Sequence, residues 1–342
     1  MRTRRSRSSG NPVSPYKGEP HSGCSSDTKQ PNAALRLGHN PVLLHEALQA
    51  LDIRPDDVVV DATLGGAGHA RAIAEKLGKA GTLIGLDLDA DAIERGRAAL
   101  AGSKAKIHLV QANFRSLASE LKKLGIVSVT KILFDLGWSA YQLNSGRGFS
   151  FSGKVSADSG TDKLLMTYAK EPSPEALTAR TIVNKWGESS IADVIYGWGG
   201  ERYARRIARA IVEYRQKNPI NTPAELAEIV RSSVPVRARH GRVHPATKTF
   251  QALRIAVNDE LTVLSEGLSG AWSVLAPGGR IAVITFHSLE DRVVKQAFVR
   301  LEKNEEGTRI TRKPIAPERE EVLANPRARS AKLRVIEKNK TL

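Results

Sequence analysis

The 342-residue chain is 41% hydrophobic with a formal net charge of +16, enough apolar content for one large core or two ordinary ones. The excess of cations suits a polyanionic partner such as RNA, DNA or an anionic membrane surface, with a solvated, self-repelling surface as the plainer reading. No run approaches the ~18 to 20 apolar residues of a membrane span, and the single cysteine, Cys24, excludes an internal disulfide and a cysteine-rich zinc site and suits a reducing compartment.

Residues 1–38, rich in Arg, Ser, Gly, Pro and Asn and nearly devoid of large apolar side chains, read as a disordered basic arm. Arg2, Arg4, Arg5 and Arg7 leave open a nucleic-acid tether or an organellar (mitochondrial or plastid) targeting segment. Glu19 and Asp27 break the acid-poor pattern of transit peptides, which favours the cytoplasm. From residue 40 onward strand-like runs alternate with helical patterns, the signature of a parallel sheet with crossover helices. The expected strands are Val58 to Asp61, Thr82 to Asp87, Lys106 to Gln111, Lys131 to Asp135 and Arg280 to Phe286, with edge strands around Thr308 to Lys313 and Lys332 to Glu337. Between the fourth and fifth lie roughly 140 residues, far more than the dozen or so of a crossover helix. Their pattern is helical from about Ser173 to Arg231. The expected partition is a sheet domain of residues 39–140 and 241–342, interrupted by a helical substrate-recognition domain of residues 141–240.

The first strand runs into VVVDATLGGAGHA, residues 58–70. Gly65, Gly66, Ala67, Gly68, His69 and Ala70 match a dinucleotide fingerprint in neither register, and no Gly-Lys-Ser/Thr follows to make a P-loop. Glycines still let a ligand approach the backbone, and a helix from about His69 would open toward it. Asp61 ends the first strand, where a carboxylate suits an ammonium or sulfonium group and repels a pyrophosphate. Asp87 ends the second, the position from which an acid accepts hydrogen bonds from ribose hydroxyls. Asn113 and Phe114 follow the third, placing an amide and an aromatic face where adenine could stack. Asp135 ends the fourth. A cationic adenosine compound, S-adenosylmethionine, satisfies this ordered set better than an anionic dinucleotide. LAPGGRIAVITF, residues 275–286, feeds the fifth strand through a Pro-Gly-Gly turn common in methyltransferases that use this donor. The expected fold is therefore an α/β, Rossmann-like class I S-adenosylmethionine-dependent methyltransferase sheet with an inserted small helical domain.

HNPVLLHEAL, VDATLGGAGHA, DLGWSAYQLNSGRGFSF, ERYARRIARAIV, HPATKTFQALRIAVNDEL, GGRIAVITFHSLEDRVVK and NPRARSAKLRV together resemble the bacterial 16S ribosomal RNA cytosine-N4 methyltransferase family of the MraW or RsmH type, from about His39 to Lys338. The resemblance implies methylation of the exocyclic N4 of one cytidine in the decoding region of small-subunit rRNA, naked or within a ribosomal particle, with S-adenosylmethionine as donor. It carries cofactor contacts to Ala67, Gly68 and His69, to Asp87 on the ribose, to Phe114 near the adenine, and to Asp135 and Gln142 beside the methyl-transfer pocket; it implies no metal, and a homodimer stays open. There are departures. Ala67 stands where Gly is usual, Ser139 to Asn144 replace Ser-Ser-Pro-Gln-Leu-Asp, and a segment ending Leu164-Leu165-Met166-Thr167-Tyr168 replaces Pro-Leu-Asp-Met-Arg-Met-Asp.

Cytosine N4 is a poor nucleophile because its lone pair is delocalised into the ring. Asp135 is the expected catalytic residue, a carboxylate that holds an N4 proton and stabilises positive charge developing there, with the Leu136 carbonyl available for the second proton. Trp138 or Tyr141 could stack on a displaced base or simply pack the core. His287 and Ser288 could line the pocket or cap the next helix. His69 invites a metal or general-base role, but no second ligand sits at metal spacing and a first-turn helix residue explains it better. Arg202, Arg206 and Arg209 make a basic stripe opposite Tyr203, Ile207, Ile211 and Tyr214. A second cluster comprises Arg231, Arg237, Arg239, Arg242, Lys248 and Arg254. Both suit sugar-phosphate binding. The competing classes are a dinucleotide-dependent oxidoreductase, disfavoured by the missing fingerprint, and a non-catalytic RNA-binding or assembly protein on a methyltransferase shell.

Overall fold

The computed structural model describes residues 41–137, 145–150, 162–169, 172–241 and 243–340. Seven strands form one sheet in the order β3-β2-β1-β4-β5-β7-β6: β1 (Val58–Asp61), β2 (Thr82–Asp87), β3 (Lys106–Gln111), β4 (Val129–Asp135), β5 (Leu275–Thr285), β6 (Gly307–Arg309) and β7 (Lys332–Lys338). The first five are mutually parallel, β7 runs antiparallel to β5, and β6 pairs antiparallel with β7. This is a Rossmann-like class I α/β sheet. The strand order reverses between β1 and β4, so the loops after these two strands diverge and leave a crevice at the carboxyl edge, where open α/β sheets bind ligands.

Side-chain alternation decides which helices cover which face. Val59, Leu83, Leu133 and Ile284 share a buried cluster with Leu51, Ile73 and Ile93, which belong to helices α1 (Leu44–Leu51), α2 (Gly68–Lys76) and α3 (Ala90–Ala99). Their neighbours Val60, Ile84, Ile132, Phe134 and Val283 point the other way, into a cluster with Leu121, Leu268 and Phe298. Those come from α4 (Leu117–Lys123), α11 (Glu260–Val274) and α12 (Ser288–Lys303). A parallel strand is buried on both faces, which is why these runs read as continuous apolar stretches.

Between β4 and β5 lie α5 (Ala179–Lys185), α6 (Glu188–Gly199), α7 (Ala204–Arg215), α8 (Pro223–Ser233), α9 (Val236–Arg239) and α10 (Thr247–Asn258), which lead into α11. They build a core of their own from Ile182, Ile195, Ile211, Val230, Phe250 and Leu253. The start of α8 is written in the sequence: Thr222 and Glu225 form a reciprocal capping box, with Pro223 in the first turn.

The fifth strand begins earlier than its pattern suggested. Val129 pairs with Leu275 and Lys131 with Arg280, so Ala276 to Gly279 form a bulge inside β5 rather than a turn before it. The bulge needs its glycines. Gly278 has φ 75°, and a Cβ on Gly279 would lie 2.8 Å from the Thr130 carbonyl oxygen. At the far edge β6 is shorter than expected, because beyond Arg309 the Thr311 hydroxyl, not its backbone, takes the Val335 N–H. No helix among the described residues is long and apolar enough to cross a membrane.

Candidate active site at the carboxyl edge

The bend after β1 is stitched across the strand tips on either side. Ala62 N–H donates to the Leu133 carbonyl at 2.9 Å and Leu64 N–H to the Leu86 carbonyl at 2.8 Å, extending the ladder past both ends of β1. The Thr63 hydroxyl accepts the Asp135 N–H at 2.7 Å, and Gly65 N–H donates to Asp87 Oδ2 at 2.8 Å. Asp61, Asp87 and Asp135 are thereby fixed on the adjacent tips of β1, β2 and β4. Ala67, which caps α2, has φ 58° and ψ 20°, the left-handed region that disfavours a residue with a Cβ by roughly 1–2 kcal/mol. The departure from Gly at this position therefore carries strain. Gly68 opens the helix with Pro41 so close that a Cβ would meet the ring at 3.1 Å.

Burial governs the charges. Asp61 is 1% exposed; its Oδ1 accepts the Thr63 N–H at 3.2 Å, and its Oδ2 is buried with no hydrogen-bond partner. Burial, reinforced by Asp135 and Asp87 and opposed by His69, pushes its carboxyl up to about 6. Burial also raises Asp87, against the pull of the Asp89 and Gly65 N–H groups. His69 lies under the bend, its Nε2 3.1 Å from the Val42 carbonyl oxygen and its Nδ1 3.4 Å from Asp135 Oδ2. Burial lowers its pKa although Asp61 pulls the other way. A neutral ring that donates through Nε2 to the Val42 carbonyl anchors the segment before α1 beneath the bend. Three acids, one with an orphaned buried oxygen, make a site that gains from a cation.

Phe114 follows β3 in a short turn that Asn113 caps through its carboxamide oxygen, 2.9 Å from the Arg115 N–H. The half-buried Phe114 ring meets Phe134 edge-on at 5.5 Å and lies so close to α11 that a Cβ on Gly267 would come within 2.5 Å of it. Gln142, Trp138 and Tyr141, like residues 1–38, lie outside the described residues. His287 is a helix cap: its Nδ1 accepts the Glu290 N–H, and Glu290 returns a hydrogen bond from the His287 N–H.

The structure adds Glu260 and Glu290, which the sequence pattern did not single out. Among the described residues, Glu260, His287 and Glu290 form the one cluster whose ligand atoms lie within 4.8 Å of one another, but its carboxylates are already engaged. Both oxygens of Glu260 lie 2.7 Å from the Arg254 guanidinium, and Glu260 Oε1 also accepts the Tyr168 hydroxyl at 2.7 Å. Glu290 Oε2 takes the Phe286 and His287 N–H groups. Each acid also sits in the first turn of a helix, where the dipole favours it. Burial opposes the Arg254 charge, but Glu260, Tyr168 and Glu290 more than offset it and hold its pKa up; burial and Glu260 keep Tyr168 protonated. Arg254 thus leaves the expected basic surface, because it is 5% exposed and paired. The capping boxes at His287-Ser-Leu-Glu290 and Thr222-Pro-Ala-Glu225 were the available sequence signal; nothing in the sequence marked Arg254 as internal.

On the helical layer Arg205, Arg206 and Arg209 are exposed along α7 above buried Ile207, Ala208 and Ile211. Arg202 precedes the helix and stacks over Tyr203 at 4.7 Å, and Tyr214 is exposed rather than on the apolar side. Arg209 reaches Glu188 at 3.6 Å. In the second cluster Arg231 pairs with Glu228 at 2.7 Å, Arg239 donates to the Val234 and Ser232 carbonyls, and Arg237 and Lys248 are exposed. Arg242 lies outside the described residues.

The model of the MraW methylase family matches residues 36–339. A protein of Brevibacillus brevis named Ribosomal RNA small subunit methyltransferase H is 45% identical over 320 residues, covering 89% of this chain and 99% of that protein. Proteins of the same name from Acetivibrio thermocellus and Clostridioides difficile are 44% and 40% identical, each over 89% of this chain and 100% of their own length.

Proposed function

The chain belongs to the MraW methylase family, and from that premise we propose that it transfers a methyl group from S-adenosylmethionine to the exocyclic N4 of one cytidine in the decoding region of small-subunit ribosomal RNA. The observation that carries the reading is the set of carboxylates on adjacent strand tips, with Asp61 Oδ2 buried and lacking a hydrogen-bond partner. An ammonium or sulfonium group is the complement such an atom requires, and Asp87 stands ready for ribose hydroxyls. Ala67, Gly68 and His69 form the floor against which the donor lies, with Phe114 on the adenine side.

S-adenosylmethionine supplies an electrophilic methyl group on a positively charged sulfur. Asp135, on the β4 tip one strand from Asp61, accepts a hydrogen bond from the cytosine amine, orients its lone pair toward the methyl carbon and stabilises the charge that develops on N4. The Leu136 carbonyl accepts a hydrogen bond from the second N4 proton. As the N–C bond forms the methyl–sulfur bond breaks and one N4 proton passes to Asp135, so full deprotonation before attack is unnecessary. His69 packs beside Asp135, its Nδ1 3.4 Å from Oδ2.

The sheet parts, residues 39–140 and 241–342, hold the donor in this reading, and the intervening 141–240 presents the RNA to it. The helix α10 packs with that layer through Phe250 and Leu253. Exposed Arg205, Arg206, Arg237 and Lys248 supply phosphate contacts, and the bacterial relatives favour the cytoplasm. The test is incubation of the full chain with methyl-labelled donor and small subunits lacking the modification, followed by nucleoside analysis. Label in N4-methylcytidine at one position supports the proposal. Label in another nucleoside, or an RNA-binding chain without turnover, overturns it.

A further inference from the structure

Two glycines with positive φ, Gly146 at 69° and Gly148 at 82°, bracket Arg147 and fold it inward. A Cβ on Gly148 would lie 2.7 Å from the Lys163 carbonyl oxygen, so the segments 145–150 and 162–169 are pressed together at that point. Arg147 is 7% exposed, and its contacts are spread over three parts of the chain. Its Nε donates to the Ser145 hydroxyl at 2.8 Å. Its Nη1 donates to the carbonyls of Thr167, at 3.4 Å, and Tyr168. Its Nη2 lies 3.9 Å from Asp89 Oδ2. Its own carbonyl accepts the Leu165 and Met166 N–H groups at 3.3 and 2.7 Å.

Both ends of this arrangement lead to the reaction centre. Asp89 caps α3, and its N–H donates to Asp87 Oδ1 at 2.9 Å, so Arg147 is one residue contact removed from the acid assigned to the donor ribose. In the other direction Tyr168 stacks on Phe149 at 5.8 Å, donates its N–H to Asn258 Oδ1 at 3.0 Å, and donates its hydroxyl to Glu260. From Glu260 the contacts continue through Arg254 to Glu290, 3.9 Å away, which caps the residues just past β5, the strand paired with β4 at Asp135. A buried polar belt thus runs from the ribose side of the crevice to the methyl-acceptor side.

We infer that Arg147 is a positioning residue for methyl transfer: its guanidinium clasps the acceptor-side segment 162–169 to Asp89, coupling occupation of the donor site to the shape of the acceptor site. The inference rests on the donor reading above. A guanidinium suits the task because its rigid planar fork spreads its donors over separate nitrogens, two carbonyls on one and a carboxylate 3.9 Å from another.

The test uses the full chain and S-adenosylhomocysteine, the demethylated donor, as binding probe. Saturation with the probe should slow hydrogen exchange at the Leu165, Met166 and Tyr168 amides by about tenfold or more in the wild type, and not in Arg147→Met. With saturating donor, Arg147→Met should lower the single-turnover methylation rate by at least about tenfold while changing the donor Kd by less than about threefold. Arg147→Lys should recover part of the rate, and adding Asp89→Asn to Arg147→Met should lower it by less than about twofold more, because both remove one clasp. If Arg147→Met does not fold, Arg147→Lys and Asp89→Asn carry the same readouts. An unchanged rate in a folded Arg147 variant, fully multiplying effects in the double variant, or amides indifferent to the probe would overturn the clasp alone. A wild-type chain that binds no probe overturns the donor reading, and the clasp with it.

Discussion

Replacing Asp61 by Asn should make the chain more stable and unable to hold its donor. The side chain is 1% exposed, so solvent screening does not dilute the effect. Its carboxyl is raised from 3.8 to about 6, and about 2 units at ~1.4 kcal/mol each make the ionised form some 3 kcal/mol less stable in the fold than in the unfolded chain. The folded state binds the proton more tightly, so wild-type stability falls as pH rises from about 4 to about 6 and stays level above that. Asn keeps an acceptor for the Thr63 N–H but buries an amide N–H₂ with little to donate to, which takes back about 1 kcal/mol. Urea unfolding at pH 7.5 should therefore show a net gain of about 2 kcal/mol, shrinking as pH falls below 6. A destabilised variant, or a gain that does not change between pH 7.5 and 4.5, would refute the claim that Asp61 is a strained, ionised group kept for its ligand.

Asp135→Ala should abolish methyl transfer while leaving donor affinity within roughly tenfold, about 1.4 kcal/mol, and near-normal turnover would remove Asp135 from the mechanism. Ala67→Gly should raise stability by roughly 1 kcal/mol in urea melts, because φ 58° strains alanine and suits glycine; a loss of stability would mean the bend relaxes by another route. Arg206→Ala should weaken binding to small-subunit rRNA and reduce the slope of log K against log salt by about one, and an unchanged slope would take α7 off the RNA.

Strand positions were legible because a sheet covered on both faces demands unbroken apolar runs that end abruptly in acids, as at Val58–Asp61 and Thr82–Asp87. The bulge at Ala276 to Gly279 was not, since Pro-Gly-Gly reads equally as a turn and only the register with β4 distinguishes them. The acids of the site were legible for the same reason as the strands, by their place at a strand end. Arg254 and Arg147 were not: a basic residue is counted as surface charge until its partners are known, and theirs, Glu260 and Asp89, lie in other elements. Tyr168 illustrates the limit from the other side. The sequence marked it as a departure from the family, but its hydroxyl's role emerges only when the 162–169 segment meets α11.

The central claim is that the strand-tip carboxylates form a site for a positively charged sulfur donor, and calorimetric titration of the purified full chain with S-adenosylmethionine across pH 5 to 8 addresses it directly. We predict one-to-one binding that weakens by about tenfold from pH 8 to pH 5 as Asp61, held at about 6, takes up its proton. Absence of binding, or an affinity that stays level or tightens as the solution is acidified, would contradict it.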